Sequence, residues 1–207
     1  MPLILASASP RRRQLLAALG IPFVVDVADI NESRVGDESP EAHVRRLAEE
    51  KAQAVIPRHP PDVVLAADTI VVHRGRILGK PRDAAIAKTM LQSLRSNAHQ
   101  VITAVAVART GNLTSELDVS TVTMRAYTDA EIDAYIASGD PFDKAGAYAI
   151  QHPDFAPMAR LDGCYAGVMG LPLAVVARLL AAAGLTSTPN WPQVCRSITG
   201  RCCRIDD

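Results

Sequence analysis

The sequence predicts an α/β fold, built as one sizeable domain or as two tightly joined lobes. The chain has 207 residues, of which 48% are hydrophobic, and this is enough to bury a substantial core. Apolar runs of strand length alternate along the chain with segments whose apolar side chains recur at helical spacing. The first such run, residues 3–7, passes directly into a helix start, as in strand–turn–helix units.

The first helix is defined by its two ends and its apolar face. Ser9 is a typical N-cap residue, Pro10 suits the first helical position, and Gly20 ends the helix. Its buried side chains are predicted to be Leu15, Leu16 and Leu19.

The remaining elements follow from the same kinds of signal. Helices are predicted over residues 40–56, 83–94, 129–138 and 171–184, with Ser39, Asp83 and a Thr128–Glu131 capping box at their starts. Strands are predicted over residues 22–30, 63–72, 100–109 and 113–124, the last two joined by a hairpin at Thr110–Asn112. Residues 139–151 are predicted to form a loop followed by a strand.

The C-terminal end of the chain differs from the rest. Residues 1–185 are predicted to form a single domain, and residues 186–207, which show no clear period, a mobile extension. Cys164 is isolated, while Cys195, Cys202 and Cys203 lack paired C-x-x-C spacing. We interpret these cysteines as reduced thiols; a metal site or a cross-link in the extension is the alternative.

The charge balance limits the classes of partner. The 22 basic and 22 acidic residues cancel, so the molecule as a whole does not attract nucleic acid or anionic membranes. No apolar run reaches the ~18 residues of a membrane span, and the basic residues near the N-terminus follow the apolar segment instead of preceding it. We therefore expect a cytoplasmic protein with no membrane or nucleic-acid partner.

Three consecutive arginines, Arg11–Arg13, lie in the first turn of the first helix. The free N–H groups make this end of a helix positive, so each cation there costs a few tenths of a kcal/mol. A bound anion would compensate. A nucleic-acid-binding domain built on this cluster is an alternative, but zero net charge and 4% aromatic residues disfavour it.

Two charged residues interrupt apolar patterns. Asp68 lies within the apolar run 63–72, where a carboxylate must be paired, bound to a metal or protonated. Lys51 projects from the apolar stripe of the helix over 40–56. The alternatives are a structural acid that accepts backbone N–H groups and a lysine whose ammonium reaches water along its stem.

Taken together, the charged residues point to phosphate chemistry. Asp68 and Glu32 offer the hard oxygen ligands that Mg²⁺ or Mn²⁺ takes when it also holds phosphate. Several cations can fix phosphates beside them, namely Arg11, Arg12, Lys51, Lys80 and Lys144. Taken singly, Lys80, Lys144 and Glu32 are also explained as ordinary solvated side chains. No P-loop, G-x-G-x-x-G, H-E-x-x-H or G-x-S-x-G motif occurs, and the five histidines lack metal-ligand spacing.

Seven segments, in order and at matching spacings, resemble the Maf family of nucleoside triphosphate pyrophosphatases: LASASPRRRQLL, RLAEEKA, AADTIVV, ILGKPRD, HQVITAVAV, GDPFDKAGAYAIQ and GLPL. The resemblance covers roughly residues 2–184. It implies a central mixed sheet flanked by helices in two lobes, similar to inosine triphosphate pyrophosphatases, with the substrate in the cleft between the lobes. It also implies metal-dependent hydrolysis of a nucleoside triphosphate to the monophosphate and pyrophosphate, and suggests a homodimer.

The resemblance also assigns roles to residues. Asp68 matches the catalytic acid, the proton acceptor for the attacking water. Glu32, Lys51 and Lys80 match other active-site positions, which we predict to be catalytic. The chemistry of the residues leaves open that Asp68, with Glu32, is a ligand of Mg²⁺ or Mn²⁺. The predicted substrate-binding residues are Ser7, Ser9, Arg11, Arg12, Thr69, Lys144 and Gln151. Thr69 and Gln151 are similar to the branch that acts on dTTP and UTP, which implies a role in sanitation of the nucleotide pool. A non-catalytic regulator of cell division is the alternative from another class.

Overall fold

The computed structural model describes residues 2–185 and 190–200. At its centre is a mixed seven-stranded sheet with helices on both faces, which confirms the predicted α/β fold. The strands are β1 (Leu3–Leu5), β2 (Phe23–Val25), β3 (Val63–His73), β4 (Arg76–Leu78), β5 (Ala98–Arg109), β6 (Asn112–Met124) and β7 (Met158–Asp162). Their order is β2-β1-β3-β5-β6-β7, and β4 pairs with β3. Strands β1, β2 and β3 are mutually parallel, and the other pairings are antiparallel.

The helices divide between the two faces of the sheet. They are α1 (Pro10–Ala18), α2 (Pro40–Val55), α3 (Ala84–Leu94), α4 (Asp129–Ala137), α5 (Tyr165–Val168), α6 (Leu173–Ala182) and α7 (Trp191–Thr199). Helix α2 covers one face, where its apolar side chains join those of β3 and β5. Helices α1, α3, α4 and α6 supply buried side chains to the core on the opposite face.

The predicted helix starts are confirmed. The Ser9 and Ser39 hydroxyls accept hydrogen bonds from the first turns of α1 and α2, and the Asp83 carboxylate does the same for α3. Thr128 and Glu131 form a reciprocal capping box at α4. These ends are local features, because each cap satisfies an N–H group only three residues further along the chain.

The strand predicted within residues 139–151 is absent, and strands β4 and β7 were not predicted. Residues 139–151 contain no strand; they form two short 3₁₀ turns, Asp140–Asp143 and Ala145–Ala147, and Gly146 and Ala147 have φ of 69° and 62°. Their apolar side chains are buried by packing instead of by strand pairing. The strand beyond them, β7, escaped prediction because its five residues, Met158–Asp162, are only half-buried or exposed and show no apolar alternation.

Part of the predicted C-terminal extension is helical. Trp191–Thr199, where the sequence shows no clear period, form α7, with Cys195 buried. Cys202 and Cys203, and with them the alternative of a metal site or cross-link in the extension, lie outside the described residues. Over residues 2–185 and 190–200, every helix is too short or too polar to cross a membrane.

Candidate active site

A break in strand pairing along β3 creates room for a cavity. On one side β3 pairs with β1 over Val63–Leu65 and with β4 over Val71–His73. Within the described part of the chain, no strand pairs with the stretch 66–70 on that side. A cavity of ≈ 570 Å³ opens at this place, lined by the loop after β1, by the middle of β3 and by the end of β4. It lies beyond the carboxyl end of β1, the usual position for ligand sites in open α/β sheets.

Every predicted site residue lines this one cavity. The structure brings together Ser7, Ser9, Arg11, Arg12, Glu32, Lys51, Asp68, Thr69, Lys80, Lys144 and Gln151. They come from the start of α1, the loop before α2, α2 itself, β3, the loop after β4 and the segment after α4. The chemical roles of these residues remain predictions.

Lys51 and Asp68, the two residues that interrupt apolar patterns, are partners. The Lys51 Nζ lies 2.7 Å from Asp68 Oδ1 and 2.6 Å from Glu32 Oε1. Lys51 is 9% exposed and Asp68 8% exposed, so the ammonium does not reach open solvent along its stem. A buried charge pair of this kind is retained only where its geometry and hydrogen bonds are good. The contact therefore explains how the fold tolerates both charges.

The charges around Glu32 favour its ionised form. Partial burial works against ionisation, but the hydrogen bond from Lys51 and the positive charges of Lys51, Lys80 and Arg12 outweigh it, so the pKa of Glu32 is lowered. Glu32 therefore carries its negative charge at neutral pH. The cavity holds two carboxylates on either side of one ammonium.

Arg12 contacts Thr69, the residue that follows Asp68 in β3. Its Nε donates to the carbonyl oxygen of Gly170 at 3.0 Å, and its two terminal nitrogens donate to Thr69 Oγ1 at 3.1 Å and Ser7 Oγ at 3.4 Å. Burial lowers the pKa of Arg12, and the negative charge of Asp68 counteracts this effect. The carbonyl and hydroxyl partners partly compensate for the unfavourable position of Arg12 at the positive end of α1.

Arg11 and Lys144 meet at a third carboxylate. Arg11 lies 3.6 Å from Asp143, and the Lys144 ammonium lies 2.5 Å from Asp143 and 2.8 Å from Asp140. Lys144 also donates to the Asp140 carbonyl oxygen at 2.6 Å. All three of its N–H groups have acceptors within its own loop, so the ammonium is already engaged in holding that loop. Lys144 is buried, unlike the solvated lysine that its loop sequence suggests on its own.

The acidic residues suit a metal ion that phosphate oxygens help to hold. Over residues 2–185 and 190–200, no cluster of three or more His, Cys, Asp or Glu side chains has the arrangement of a metal site. Mg²⁺ does not require one, because it commonly takes one or two carboxylates and completes its shell with substrate phosphates and water. Asp68 and Glu32 fit that pattern.

Sequence reasoning overlooked other residues at the site. Thr103 is fully buried on β5, and its Oγ1 lies 2.9 Å from Thr69 Oγ1. A signal was present, because Thr103 is a polar residue in an alternating row with Val101 and Val105, which face the core. Gly170, unlike Thr103, lines the cavity and accepts the Arg12 hydrogen bond through its carbonyl. It begins the GLPL segment, but the sequence does not mark it as a contact of Arg12.

The fold and the cavity define an α/β protein with an acidic and a basic cluster in one ligand-sized site. The chain belongs to the family described as Maf-like protein, which matches residues 2–183. It is 53% identical over 201 residues to a dTTP/UTP pyrophosphatase of Thermomicrobium roseum, covering 95% of this chain and 92% of that protein. It is 50% identical over 184 residues to a dTTP/UTP pyrophosphatase of Myxococcus xanthus, covering 88% and 93% respectively.

A solved structure described as a HAM1 protein from Coxiella burnetii aligns with a TM-score of 0.45. The alignment has 15% sequence identity and covers 89% of this chain and 98% of that chain. This likeness is too distant to support a conclusion about function.

Proposed function

We propose that the protein hydrolyses dTTP and UTP to the nucleoside monophosphate and pyrophosphate, with Mg²⁺ or Mn²⁺ bound. The main support is the Lys51 ammonium held between Asp68 and Glu32, in the same cavity as Arg12 and Lys80. This arrangement offers carboxylates for a metal ion and a proton beside cations for phosphates. The names of the relatives from T. roseum and M. xanthus agree with it.

The triphosphate is placed over the start of α1. The residues that begin α1, including Arg11 with its guanidinium, line the cavity there, and the positive end of the helix favours an anion. Asp143, which now lies near Arg11, would give way to the phosphates. Lys80 follows β4 and lines the end of the cavity that β4 borders; there it stabilises negative charge on the departing pyrophosphate.

Asp68 is the proton acceptor in this proposal. A water oxygen attacks the α-phosphorus, the bond from that phosphorus to the bridging oxygen breaks, and pyrophosphate leaves with the electron pair. The proton of the water passes to Asp68, whose Oδ1 is oriented by Lys51. Glu32 and Asp68 are the residues that would hold the metal ion. When bound, the ion supplies charge neutralisation at the phosphate oxygens.

The nucleobase is read by Thr69 and Gln151, which line the same cavity. A hydroxyl and an amide can together bond the carbonyl and N–H edge of uracil or thymine.

We further propose that the enzyme acts in the cytoplasm on the nucleotide pool and functions as a homodimer. Sedimentation of the purified protein tests the dimer, since a monomer at micromolar concentration would contradict it.

Release of pyrophosphate from dTTP and UTP, with Mg²⁺ or Mn²⁺ and with a chelator, tests the activity. Asp68→Asn should lower kcat by about 100-fold or more, because the proton acceptor is lost. Asp133→Asn is the matched control: Asp133 pairs with Lys88 on the surface and does not line the cavity. Full activity of Asp68→Asn would contradict the proposed role. No release from any canonical or modified triphosphate would favour the regulator of cell division instead.

A further inference from the structure

A chain of three hydrogen bonds connects the cavity to a residue behind it. The Arg12 guanidinium contacts Thr69 Oγ1 at 3.1 Å, Thr69 Oγ1 contacts Thr103 Oγ1 at 2.9 Å, and Thr103 Oγ1 contacts the Gly167 carbonyl oxygen at 2.8 Å. Thr69 and Thr103 are directly paired residues of β3 and β5. Thr103 is 1% exposed and does not line the cavity, whereas Thr69 does.

The chemistry of the two ends fixes the direction of every bond. The Gly167 carbonyl can only accept, so Thr103 donates its single hydroxyl hydrogen there. Thr103 has no hydrogen left for Thr69, and the 2.9 Å contact therefore requires Thr69 to donate. Arg12 has only N–H groups, so Thr69 accepts from it. The Thr69 hydroxyl has one free lone pair and no hydrogen for a ligand.

We propose that Thr103 is a positioning residue that makes Thr69 a hydrogen-bond acceptor toward the nucleobase, and thereby favours bases with an N–H group at N3. Uracil and thymine carry a hydrogen at N3, whereas cytosine carries a lone pair there. This inference rests on the proposed function, because it requires a pyrimidine nucleotide in the cavity. The discrimination would then depend on a residue that does not line the cavity.

The surrounding backbone holds the chain of bonds in place. Arg12 donates through Nε to the Gly170 carbonyl, and Gly167, a residue of α5, lies three residues before Gly170. Arg12, Thr69, Thr103 and the 167–170 segment therefore close a ring. A Cβ atom at Gly170 would lie 3.3 Å from Thr69 Oγ1 and 3.4 Å from Arg12 Nε, so the lack of a side chain leaves room around the acceptor.

The test compares UTP with CTP in Thr103→Val and Thr103→Ser. Valine has the shape of threonine but cannot accept, so the Thr69 hydrogen becomes free to donate to cytosine N3. We expect the ratio of kcat/KM for UTP over CTP to fall by about tenfold in Thr103→Val, the value of one hydrogen bond, and to stay at the wild-type value in Thr103→Ser. Thr121→Val, on β6 and outside the cavity, should leave the ratio unchanged.

A purely structural role of Thr103 would lower both kcat/KM values together and leave their ratio unmoved, which would overturn the inference. Binding of α,β-imido-UTP and α,β-imido-CTP, which resist cleavage, gives the same ratio without turnover. If the wild type binds but does not hydrolyse, the proposed activity fails, and the binding ratios still decide the role of Thr103. Should Thr103→Val not fold, Thr103→Cys, a weaker acceptor, must shift the ratio in the same direction.

Discussion

At the scale of single residues, the buried charges of the site stabilise one another: the Lys51 ammonium pairs with the carboxylates of Asp68 and Glu32. The side chains of Lys51 and Asp68 are 11% and 12% exposed, and Glu32, at 56%, is the more hydrated of the two carboxylates. Loss of one buried partner leaves the other without compensation, which costs more than the intact pair contributes. The stability of the fold therefore depends on side chains that the proposed function also uses.

Lys51→Met should lower the free energy of unfolding by about 3 kcal/mol, because it leaves the Asp68 carboxylate buried without a partner. The double variant Lys51→Met/Asp68→Leu should regain most of that loss, since it removes the orphaned charge as well. Urea denaturation at pH 7 measures both values. If the two substitutions prove simply additive, the charges are not coupled as the 2.7 Å contact indicates.

His99 should make the protein sensitive to acid. Burial, with a smaller contribution from the charge of His73, lowers the pKa of His99 to about 4, from an ordinary value of 6.5. The neutral ring is thus favoured in the folded state, so stability is full above pH 6.5 and is lost as pH falls toward 4. The shift corresponds to about 3 kcal/mol.

His99→Gln should abolish this part of the acid sensitivity while retaining a polar group near Tyr148, whose hydroxyl lies 2.7 Å from the His99 ring. Between pH 7 and pH 4 the variant should lose about 3 kcal/mol less than the wild type. Denaturation curves at several pH values give the comparison. Parallel pH profiles for the two proteins would show that His99 does not titrate as proposed.

At the scale of elements, the helix starts are small independent units. The capping box of α4 consists of Glu131 N–H donating to Thr128 Oγ1 and Thr128 N–H donating to Glu131 Oε2. Thr128→Ala should therefore lower the free energy of unfolding by about 1 kcal/mol and leave turnover unchanged, because neither residue lines the cavity. Thr128→Ser keeps the hydroxyl, and an equal loss in that variant would argue against capping as the cause.

The junction between β7 and α5 depends on a glycine. Gly163 has φ of +129°, and a Cβ atom there would lie 2.5 Å from Ser120 Oγ and 2.8 Å from Ser120 Cα. Gly163→Ala should therefore destabilise the protein by at least about 2 kcal/mol, because backbone has to move. Gly75→Ala is the control: its φ is +73°, but a Cβ atom there would have no described residue within 4 Å, so only the conformational strain remains. Equal melting temperatures for both variants would contradict the close approach.

At the scale of the whole molecule, α7 joins the C-terminal residues to the main core. Val194 and Ile198 pack against that core, while the neighbouring Gln193 is exposed. Val194→Asp should lower the free energy of unfolding by about 2 kcal/mol, and Gln193→Asp should change it little. The two variants add the same charge to two sides of one helix. Similar denaturation midpoints would mean that α7 does not pack as described.

The assembly of the cavity is also a property of the whole molecule. The charged residues that interrupt apolar patterns, Lys51 and Asp68, could be found from the sequence, because periodicity shows which side chains belong inside. Their contact could not, since they come from a helix and a strand brought together only by packing. The strand wrongly predicted within 139–151 has a similar explanation. The apolar residues of this segment correctly indicate burial, but the positive φ of Gly146 and Ala147 gives the backbone a turn conformation instead of a strand.

By itself, the sequence determined the helix starts, the main strands of the sheet, the charged residues that do not fit an apolar environment and the resemblance to a family. These are carried by neighbours along the chain, through caps, periodicity and motif spacing. Only the tertiary structure decided that Lys51 lies between two carboxylates, that Lys144 is engaged in its own loop, and that Thr103 contacts the hydroxyl of Thr69. Hydrogen-bond direction and charge pairing depend on which atoms meet in space, and that is settled only when the chain is folded.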